Sequence, residues 1–404
     1  MDCRKFIELT KNNIGDVCIF GAGDYGSTWC FELLKDAGFN IVCYIDNFKT
    51  SGICNGLPIY PLQYLIQHKE LFVFVSTRGN AEKEILGELI ENGIENYYCF
   101  ESDYAPVELA IYINQLGDEK LIGKFPSVMD DEIYLKIRFK YRMGYALDLK
   151  SPQTFNEKLN WLKLYDRNPV YITLVDKCAV KDYVSNIIGP EYVVPLYGVW
   201  SGFEDIDFTK MPNRFVLKCS HNCGDVIVCK DKTTFDIESA KVKLEKALNN
   251  NAFWPDREWP YRYVKPFIIA EKYIEPRENV LDVYKFFCFH GEPFLLQVIQ
   301  NDKTKNESID YYDINWNYLD LHQNYPNSLK PLDKPAKFQS MLDISRKLSL
   351  YIPFVRVDLF VDKAGDIFFS EFTFYSDSGC ERFYPDKWDY ILGDLIDLKR
   401  CGFK

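Results

Sequence analysis

The sequence FVRVDLFVDKAGDIFFSEFTF, residues 354–374, decides the fold of the larger part of this chain. Two runs rich in β-branched and aromatic residues, 354–361 and 366–374, flank the short loop Lys363-Ala-Gly365-Asp366. A glycine-containing loop between two such runs predicts antiparallel strands joined as a hairpin.

The hairpin carries two acidic residues whose burial needs a compensating cation. Because side chains alternate along a strand, Arg356 and Asp358 share one face of the first strand. Glu371 and Thr373 share one face of the second in the same way. Carboxylates among Val, Leu and Phe are costly to bury unpaired, and carboxylate oxygens are how proteins hold Mg²⁺. The hairpin alone therefore predicts a metal site, with a structural Arg–Asp pair at a sheet edge as the alternative.

The composition limits the class of protein. A length of 404 residues predicts two or three domains. The net charge of −11, with no run of Lys or Arg, argues against binding to nucleic acid. No apolar stretch approaches the roughly 20 residues of a transmembrane segment, and the N-terminus lacks a signal-peptide core, so we expect a cytoplasmic location. The 13 cysteines are scattered and fit no zinc template, which indicates reduced residues.

A glycine-rich motif follows the first strand-like run. Residues 17–20 lead into Gly21-Ala-Gly23-Asp-Tyr-Gly26, then into a helical pattern over 27–37, and a second strand-like run ends at Asp46. Strand, G-x-G-x-x-G, helix, strand and acid form the dinucleotide-binding fingerprint, in which glycines admit a diphosphate and the acid holds a ribose. We predict a Rossmann-like α/β unit, with Gly21, Gly23, Gly26 and Asp46 as its ligand-binding residues.

The ligand of this unit follows from a resemblance. The unit stops near residue 100 without an obvious catalytic partner, so a nicotinamide-dependent dehydrogenase is not the natural interpretation. The segments Asp46-Asn-Phe-Lys49 and Gly56-Leu-Pro-Ile-Tyr-Pro61 resemble the small nucleotide-sugar-binding domains of bacterial sugar acyltransferases. That resemblance implies a nucleotide-sugar ligand. A scaffold that binds nothing is the alternative.

Residues 105–150 change to helical patterns, with apolar residues at three- and four-residue spacing over 107–116 and 132–142. Thr154 and Glu157 then stand at capping-box spacing, which predicts the start of a helix in a second unit. Asp176-Lys177 opens another helix that ends at Gly189. Taken alone, Lys177 is an ordinary solvated lysine.

The segment Phe215-Val-Leu-Lys218-Cys-Ser220-His-Asn-Cys-Gly224 places a lysine near the end of a strand, beside a polar loop. This arrangement suits a triphosphate, because the ammonium neutralises charge and loop N–H groups close over the oxygens. It is not a P-loop, since no helix and no G-K-[ST] follow. His221 is predicted as a polar lid residue rather than a base.

Two further segments carry charge next to apolar residues. Ile268-Ile-Ala-Glu271-Lys272-Tyr-Ile274-Glu275 is an apolar strand that breaks into charge, with Glu278 shortly after. Residues 284–294 predict a hairpin that turns at His290-Gly291. Lys285 lies among aromatic residues there, where an unpaired structural lysine is unusual.

Together these segments resemble an ATP-grasp enzyme. The order matches: a leading lysine, a strand lysine with a glycine-bearing flap, a hinge strand, and Arg-x-Asp with Glu-x-[Asn/Thr] on a hairpin. In the amino-acid ligases of that fold the two hairpin carboxylates stand thirteen residues apart, as Asp358 and Glu371 do. The resemblance implies that nucleotide is bound by Lys177, Lys218, Ser220, Gly224, Glu271, Lys272, Ile274 and Glu278 (in preference to Glu275), that Mg²⁺ is bound by Asp358, Glu371 and Thr373, and that Lys285 and Arg356 are catalytic.

More specifically, residues 125–395 resemble the TupA-like (teichuronopeptide-biosynthesis) ATP-grasp family. The shared stretches are SPQTFNEKLNWLK (151–163), Asp176-Lys177, FVLKC (215–219), YKFFCF (284–289) and Arg356-Val-Asp358. The flap has fewer glycines than many ATP-grasp flaps, and Thr373 in place of Asn is usual for this family. The expected architecture is an α/β Rossmann-like domain (1–104), a helical linker (105–150) and an α+β ATP-grasp domain (151–404).

The resemblance also implies the reaction, with ATP and Mg²⁺ as cofactors. A carboxylate is phosphorylated to an acyl phosphate, which an amine attacks to form an amide. Because the family serves surface polysaccharide assembly, we expect a uronic or sugar acid and an amino acid or amino alcohol as substrates. A nucleotide-sugar and polysaccharide-assembly enzymes are expected partners. A phosphotransferase, or a scaffold with a decayed ATP site, is the alternative.

Overall fold

A computed structural model describes residues 2–12, 14–23, 26–77, 80–100, 109, 112–113, 131–222, 224, 226–248, 252–277, 281–302 and 304–401. The chain forms two compact units, Met1–Arg138 and Phe139–Lys404. Half of the predicted linker (105–150), including most of the helix expected at 107–116, lies outside the described residues.

The first unit is built on a six-stranded sheet in the order β3-β4-β2-β1-β5-β6. Its strands are β1 (Asp16–Phe20), β2 (Asn40–Ile45), β3 (Ile53–Cys54), β4 (Leu57–Tyr60), β5 (Phe72–Val75) and β6 (Tyr97–Cys99). All neighbours pair in parallel except β3, which adds an antiparallel edge to β4. The two strands predicted on either side of the glycine-rich motif, 17–20 and the run that ends at Asp46, are therefore confirmed as β1 and β2 within one residue.

Four helices are described between residues 2 and 100: α1 (Cys3–Leu9), α2 (Phe31–Asp36), α3 (Leu62–Gln67) and α4 (Asn80–Glu91). The helix predicted at 27–37 is instead a π-turn, Gly26–Cys30, that continues into α2. A Cβ at Gly26 would lie 1.8 Å from the Gly21 carbonyl oxygen. Only glycine therefore lets this turn pack against the end of β1.

The described helices that follow are α5 (Asp131–Met143), α6 (Phe155–Tyr165), α7 (Val170–Val175), α8 (Val180–Ile188), α9 (Ile237–Leu248), α10 (Phe253–Asp256), α11 (Phe338–Ser349) and α12 (Lys387–Asp394). Short 3-10 turns lie at Pro190–Tyr192, Phe203–Asp205, Phe208–Lys210, Lys232–Thr234, Trp259–Tyr263, Ser376–Gly379 and Leu398–Arg400. Within the described ranges no helix is long and apolar enough to cross a membrane. The cysteines described there are all free thiols.

The second unit contains two antiparallel sheets, of which the smaller has the order β7-β10-β8-β9. Its strands are β7 (Leu196–Trp200), β8 (Phe215–Cys219), β9 (Val226–Cys229) and β10 (Ile268–Lys272). The apolar face of α9 packs on this sheet, where Leu244 joins Phe215 and Leu217 in one core. The predicted strands around Lys218 and Glu271 are confirmed.

The larger sheet has the order β13-β12-β11-β14-β15. Its strands are β11 (Asp282–Phe289), β12 (Glu292–Gln300), β13 (Ser308–Asp313), β14 (Phe354–Val361) and β15 (Ile367–Thr373). Both predicted hairpins are confirmed. The first turns at His290 and Gly291 and the second at Gly365, all with positive φ, as tight hairpin turns require. Apolar residues of α11 and α6 share the core of this sheet.

The start of α6 is held by a capping box and by α12. The Thr154 hydroxyl accepts from the Glu157 N–H at 3.2 Å, and the Glu157 carboxylate accepts from the Thr154 N–H at 3.1 Å, as predicted. The Asp389 carboxylate accepts from the Asn156 N–H at 3.0 Å. Close approach is possible because a Cβ at Gly393 would meet backbone at 2.3 Å, so this position requires glycine.

Burial raises the pKa of Asp389 to about 6. The protonated Asp389 therefore contributes its full share to the free energy of unfolding at pH values below the pKa that this group has in the unfolded chain. That contribution is lost as the pH rises through about 6, because the buried carboxyl group must then ionise. Asp389→Asn removes the charge and keeps an oxygen for the Asn156 N–H. We expect the variant's free energy of unfolding to exceed the wild-type value by about 1–3 kcal/mol at pH 7.5, and the difference to fall toward zero near pH 4. Chemical denaturation at both pH values measures this, and an equal difference at both would contradict it.

Candidate nucleotide and metal site

Five polar side chains occupy consecutive register positions across the larger sheet. We call them the polar row; from β13 to β15 they are Tyr311, Gln297, Lys285, Asp358 and Glu371. Side chains at facing positions project to the same side of a sheet, so the row runs over one face. Gln297 Nε2 donates to the Tyr311 hydroxyl at 2.9 Å, and Lys285 Nζ lies 3.9 Å from Asp358 Oδ2. Gln297 and Tyr311 were not predicted, since only strand pairing brings them to the row.

Arg356 joins the two strands of the hairpin beside the polar row. Its Nε and Nη2 donate to the two carboxylate oxygens of Asp358 at 2.8 and 2.9 Å. Nη2 also donates to the Thr373 hydroxyl, and Nη1 donates to the Ser376 hydroxyl, both at 3.1 Å. Thr373 faces Arg356 and Glu371 faces Asp358 in the register, which confirms the predicted alternation. Because β14 lies between β11 and β15, this Arg–Asp pair is inside the sheet and not at its edge.

The two carboxylates of the row differ in ionisation. Asp358 is 1% exposed; burial raises its pKa, and the charge of Glu371 adds to the rise, against Arg356 and Lys285. Burial also opposes the charge of Glu371, but Lys177, Lys285 and Arg356 outweigh it and lower the pKa of Glu371 to about 2. Lys177 Nζ lies 3.5 Å from Glu371 Oε2. Glu371 is therefore anionic at any physiological pH.

The donor set suits a divalent cation that arrives with phosphates. In the part of the chain that the structure describes, no group of three or more His, Cys, Asp or Glu could hold a metal by itself. Mg²⁺ is commonly held by one or two carboxylates plus substrate phosphates and water, and Asp358 and Glu371 supply two facing carboxylates. Burial and the negative charge of Glu371 both raise the pKa of Asp358, and a bound cation would offset both effects. The residues thus fit Mg²⁺ bound together with a nucleotide.

On the smaller sheet a buried carboxylate bridges two lysines. Glu271 is 7% exposed, with Oε2 at 2.7 Å from Lys218 Nζ and Oε1 at 2.7 Å from Lys181 Nζ. Burial opposes the charge of Glu271, but the two ammonium groups lower its pKa. Sequence reasoning missed Lys181, although it stands four positions after Lys177, the spacing of one helical turn. Since both oxygens of Glu271 bind lysines, its contact to an adenine amine stays a prediction.

The loop after β8 is held by hydrogen bonds at its first residue, Ser220, and has open space around Gly224. The buried Ser220 hydroxyl donates to the Lys265 carbonyl at 3.2 Å and accepts from the Phe267 N–H at 3.1 Å. These two hydrogen bonds hold the loop in place. The Lys177 N–H donates to the Ser220 carbonyl at 3.0 Å, and Lys177 Nζ donates to the Asn222 carbonyl at 2.8 Å. Gly224 is exposed with φ of 95° and open space around it. The flap thus has a fixed root beside Lys177, which the linear sequence did not indicate.

The predicted adenine-binding segment continues from β10. The Lys272 N–H donates to the Pro195 carbonyl at 2.9 Å, so this N–H is already engaged. Ile274 is buried, and Glu275 pairs with Arg214 at the surface at 3.2 Å. Glu278 lies outside the described residues. The roles of Lys272, Ile274 and Glu278 toward a nucleotide stay predictions.

In the first unit, the Asp46 side chain is hydrogen-bonded to the backbone of the glycine-rich loop that follows β1. Its carboxylate accepts from the N–H of Ala22 at 2.7 Å and from those of residues 48 and 49 at 2.8 Å. Gly21 has φ of 113° and packs against the end of β5, whereas Gly23 is exposed with open space around it. The loop therefore follows β1 with Asp46 beside it, as the sequence indicated. Because the carboxylate binds backbone of its own unit, its contact to a ribose stays a prediction.

The model of the TupA-like ATP-grasp family matches residues 157–397, which is more than half of the chain. The chain belongs to the TupA-like ATP-grasp family. The matched range covers both sheets of the second unit, the polar row and the lysines around Glu271. The ATP-grasp fold expected from the sequence is thereby confirmed for this unit.

Solved ATP-grasp structures show a distant likeness to this TupA-like protein. An L-amino acid ligase from Bacillus licheniformis is 12% identical, with 90% of this chain and 69% of that one covered and a TM-score of 0.35. A D-alanine–D-alanine ligase from Bacillus anthracis is 13% identical, with 94% and 95% covered and a TM-score of 0.32. An N5-carboxyaminoimidazole synthetase from Staphylococcus aureus, complexed with ADP, is 12% identical, with 95% and 77% covered and a TM-score of 0.31. These scores are too low to support an argument about the site. A search of curated proteins found no match.

Replacing Lys218 with Met keeps the apolar stem and removes the ammonium. Because Lys181 still pairs with Glu271, we expect the melting temperature to change by only a few degrees. A lost charge-assisted contact should weaken MgATP binding by about tenfold or more. Titration calorimetry with a non-hydrolysable ATP analogue and Mg²⁺ measures this, with Lys246→Met on the exposed face of α9 as the control. A large fall in melting temperature with unchanged nucleotide affinity would make Lys218 a structural residue.

Proposed function

We propose that this protein is an ATP-dependent carboxylate–amine ligase that acts through an acyl phosphate. The observation that supports it is the gathering of Lys177, Lys218 and Lys285 around Glu371, which lies opposite a second carboxylate. Two carboxylates for Mg²⁺ among several ammonium groups make the charge pattern that a transferring phosphoryl group needs. Membership of the ATP-grasp family supports the proposal.

The first half of the proposed reaction transfers the γ-phosphoryl group of ATP. Lys177, Lys218 and Lys285 neutralise the triphosphate and orient it toward the substrate carboxylate. Asp358 and Glu371, with the Thr373 hydroxyl beside them, would hold Mg²⁺, which supplies charge neutralisation at the phosphate oxygens. The carboxylate oxygen displaces ADP and becomes an acyl phosphate.

The second half joins the acyl group to an amine. As the amine nitrogen adds to the acyl carbon, the carbonyl oxygen becomes an oxyanion, and we assign its stabilisation to the buried guanidinium of Arg356. Loss of phosphate, which carries away the proton of the attacking nitrogen, then gives the amide. Acyl phosphates hydrolyse, so the flap that ends in Gly224 would exclude water while the intermediate waits.

We assign the base and the ribose of ATP to the end of β10 and the segment that follows it. We propose that the backbone at Lys272 and Ile274 meets the adenine edge, with Glu271 beside its amine and Glu278 at the ribose. Glu271 has a second role supported by its contacts, because it fixes the ammonium groups of Lys181 and Lys218. Ser220 supports the flap from within rather than from the ligand side.

The substrates follow from the family rather than from the geometry. From the sequence resemblance we expect the family to serve the assembly of surface polysaccharides, so we propose a uronic or sugar acid as carboxylate and an amino acid or amino alcohol as amine. The reaction would take place in the cytoplasm, near the enzymes of polysaccharide assembly. A small-molecule screen of uronic acids against amines, read by ADP release, tests these identities.

Glu371→Gln removes one charge and keeps the shape of the side chain. Because the pKa of Glu371 is about 2, its carboxylate is ionised at every working pH, and the loss should be pH-independent. We expect carboxylate-dependent turnover to fall by about a hundredfold or more, with the fold intact. The measurement is hydroxamate formation in ATP, Mg²⁺, hydroxylamine and each uronic acid of the screen, since hydroxylamine traps acyl phosphates.

The control for that experiment is Glu238→Gln, which changes an exposed carboxylate at the start of α9. A stable phosphorylated product and ADP release without any amine would favour the phosphotransferase alternative. No nucleotide binding in the presence of Mg²⁺ would favour a scaffold with a decayed site. Wild-type turnover in Glu371→Gln would remove Glu371 from the metal site.

We infer that the first unit is a Rossmann-like domain that presents a nucleotide-sugar. Its five parallel strands lie in the order β4-β2-β1-β5-β6. Numbered by their sequence among the parallel strands, this is the order 3-2-1-4-5 of the dinucleotide-binding fold, and the loop 21–26 follows the central strand β1. In that fold the diphosphate lies over the glycine loop and the ribose lies at the end of the next strand, where Asp46 stands. A scaffold without ligand is the alternative.

Gly23→Val should separate ligand binding from folding in this unit. A Cβ added at Gly23 would meet no other atom within 4 Å, and the φ of Gly23 is ordinary, so the larger side chain should not disturb the fold. It should, however, cover the path of a diphosphate over the loop. We expect heat on titration of the full chain with UDP- or GDP-linked sugars, and its loss in the variant at an unchanged melting temperature. Binding of NAD instead would favour an oxidoreductase, and no heat with any ligand would favour the scaffold.

A further inference from the structure

A left-handed turn begins three residues beyond the end of β15. Three consecutive residues have positive φ: Asp377 at 47°, Ser378 at 56° and Gly379 at 59°. Non-glycine residues in this conformation cost about 1–3 kcal/mol each and persist only where the surrounding structure holds them. Such strain next to a candidate active site points to a function for the group that the turn displays.

Buried side chains of α6 and its surroundings hold this turn. Lys163 is fully buried, and its Nζ donates to the carbonyl and the hydroxyl of Ser378 at 2.8 and 3.2 Å. The Ser378 hydroxyl donates to Glu258 at 2.9 Å, and Asn160 Nδ2 donates to the Gly379 carbonyl at 2.7 Å. The stretch LNWLK, which belongs to the family signature at 151–163, thus supplies the side chains that hold the strained backbone.

The turn exposes one carboxylate between buried residues. Asp377 is exposed, whereas Ser376 and Ser378 on either side are buried. The Ser376 hydroxyl donates to Asp377 Oδ2 at 3.0 Å and accepts from Arg356 Nη1 at 3.1 Å. The charge of Asp377 also contributes to the raised pKa of Tyr311, after burial. Asp377 therefore stands beside the guanidinium and at the Tyr311 end of the polar row.

We propose that Asp377 binds the ammonium group of the amine substrate and so selects amines as the second substrate; this assignment rests on the proposed ligase function. In the described part of the chain, no Lys or Arg forms an ion pair with Asp377, so its carboxylate can accept a cation from solution. Small amines are protonated near neutral pH, and a carboxylate next to Arg356 would place the amine nitrogen beside the carbonyl oxygen that becomes the oxyanion. The bound ammonium gives one proton through Asp377 to solvent, which frees the lone pair that attacks the acyl carbon, and the second proton leaves with the phosphate. Asp377 acts here as a specificity-determining residue and not as a metal ligand.

Asp377→Asn tests the proposal with little risk to the fold, because Asn tolerates the left-handed region well. The full chain, saturated with Mg²⁺ and ADP, is titrated with ethanolamine and L-alanine and with their hydroxy counterparts, ethylene glycol and L-lactate, and binding is followed by ligand-observed NMR. We expect the wild type to prefer each amine over its counterpart. The preference should fall by at least about tenfold in Asp377→Asn and persist in Asp343→Asn, an exposed aspartate on α11.

Equal amine binding in Asp377→Asn and wild type, or no preference for either amine in the wild type, overturns the proposal. Hydroxylamine separates this result from the ligase function, because it is mostly neutral near pH 7.5 and needs no ammonium site. If the ligase proposal holds, Asp377→Asn should still form hydroxamate at close to the wild-type rate. If the wild type forms none with any uronic acid while amine binding depends on Asp377, the ligase proposal fails and the amine site stands.

Discussion

The buried contact between Arg356 and Asp358 is the interaction on which the rest of the site depends. A buried ion pair contributes little net stability, because the cost of removing both charges from water offsets their attraction. Its value lies in geometry: the planar guanidinium donates in several fixed directions at once. Here those directions reach Asp358, Thr373 and Ser376, so one side chain aligns β14, β15 and the turn that follows.

The candidate site of the second unit is basic although the chain as a whole carries a net charge of −11. Three buried or partly buried carboxylates face five cationic groups there: Glu271, Asp358 and Glu371 against Lys177, Lys181, Lys218, Lys285 and Arg356. Each acid keeps its neighbouring ammonium groups in place, and the remaining positive charge is available to a polyanion. An excess of positive charge at one site of a negatively charged protein attracts an anionic ligand to that site.

Several polar residues that were predicted to contact a ligand make contacts within the protein itself. Glu271 and Asp46 were predicted as ligand contacts, yet in the structure their oxygens already bind lysines or backbone N–H groups. Ser220, predicted as part of a phosphate-binding flap, holds the root of that flap. In each case the contact to a ligand stays a prediction, because a single sequence does not tell which of several available partners a polar side chain takes. That choice depends on the distances that packing leaves.

The sequence by itself determined the elements whose cause is local. Alternation placed Arg356 with Asp358, Thr154 and Glu157 stood at capping-box spacing, and glycine marked the turn at 365, because each depends on residues a few positions apart. The family, too, was evident from short motifs in order. Only the tertiary structure decided that Lys181 meets Glu271 from 90 positions away, that Tyr311 and Gln297 complete the polar row, and that Lys163 holds the turn of Asp377. Those contacts join separate elements, so they depend on strand register and packing, which local sequence patterns do not encode.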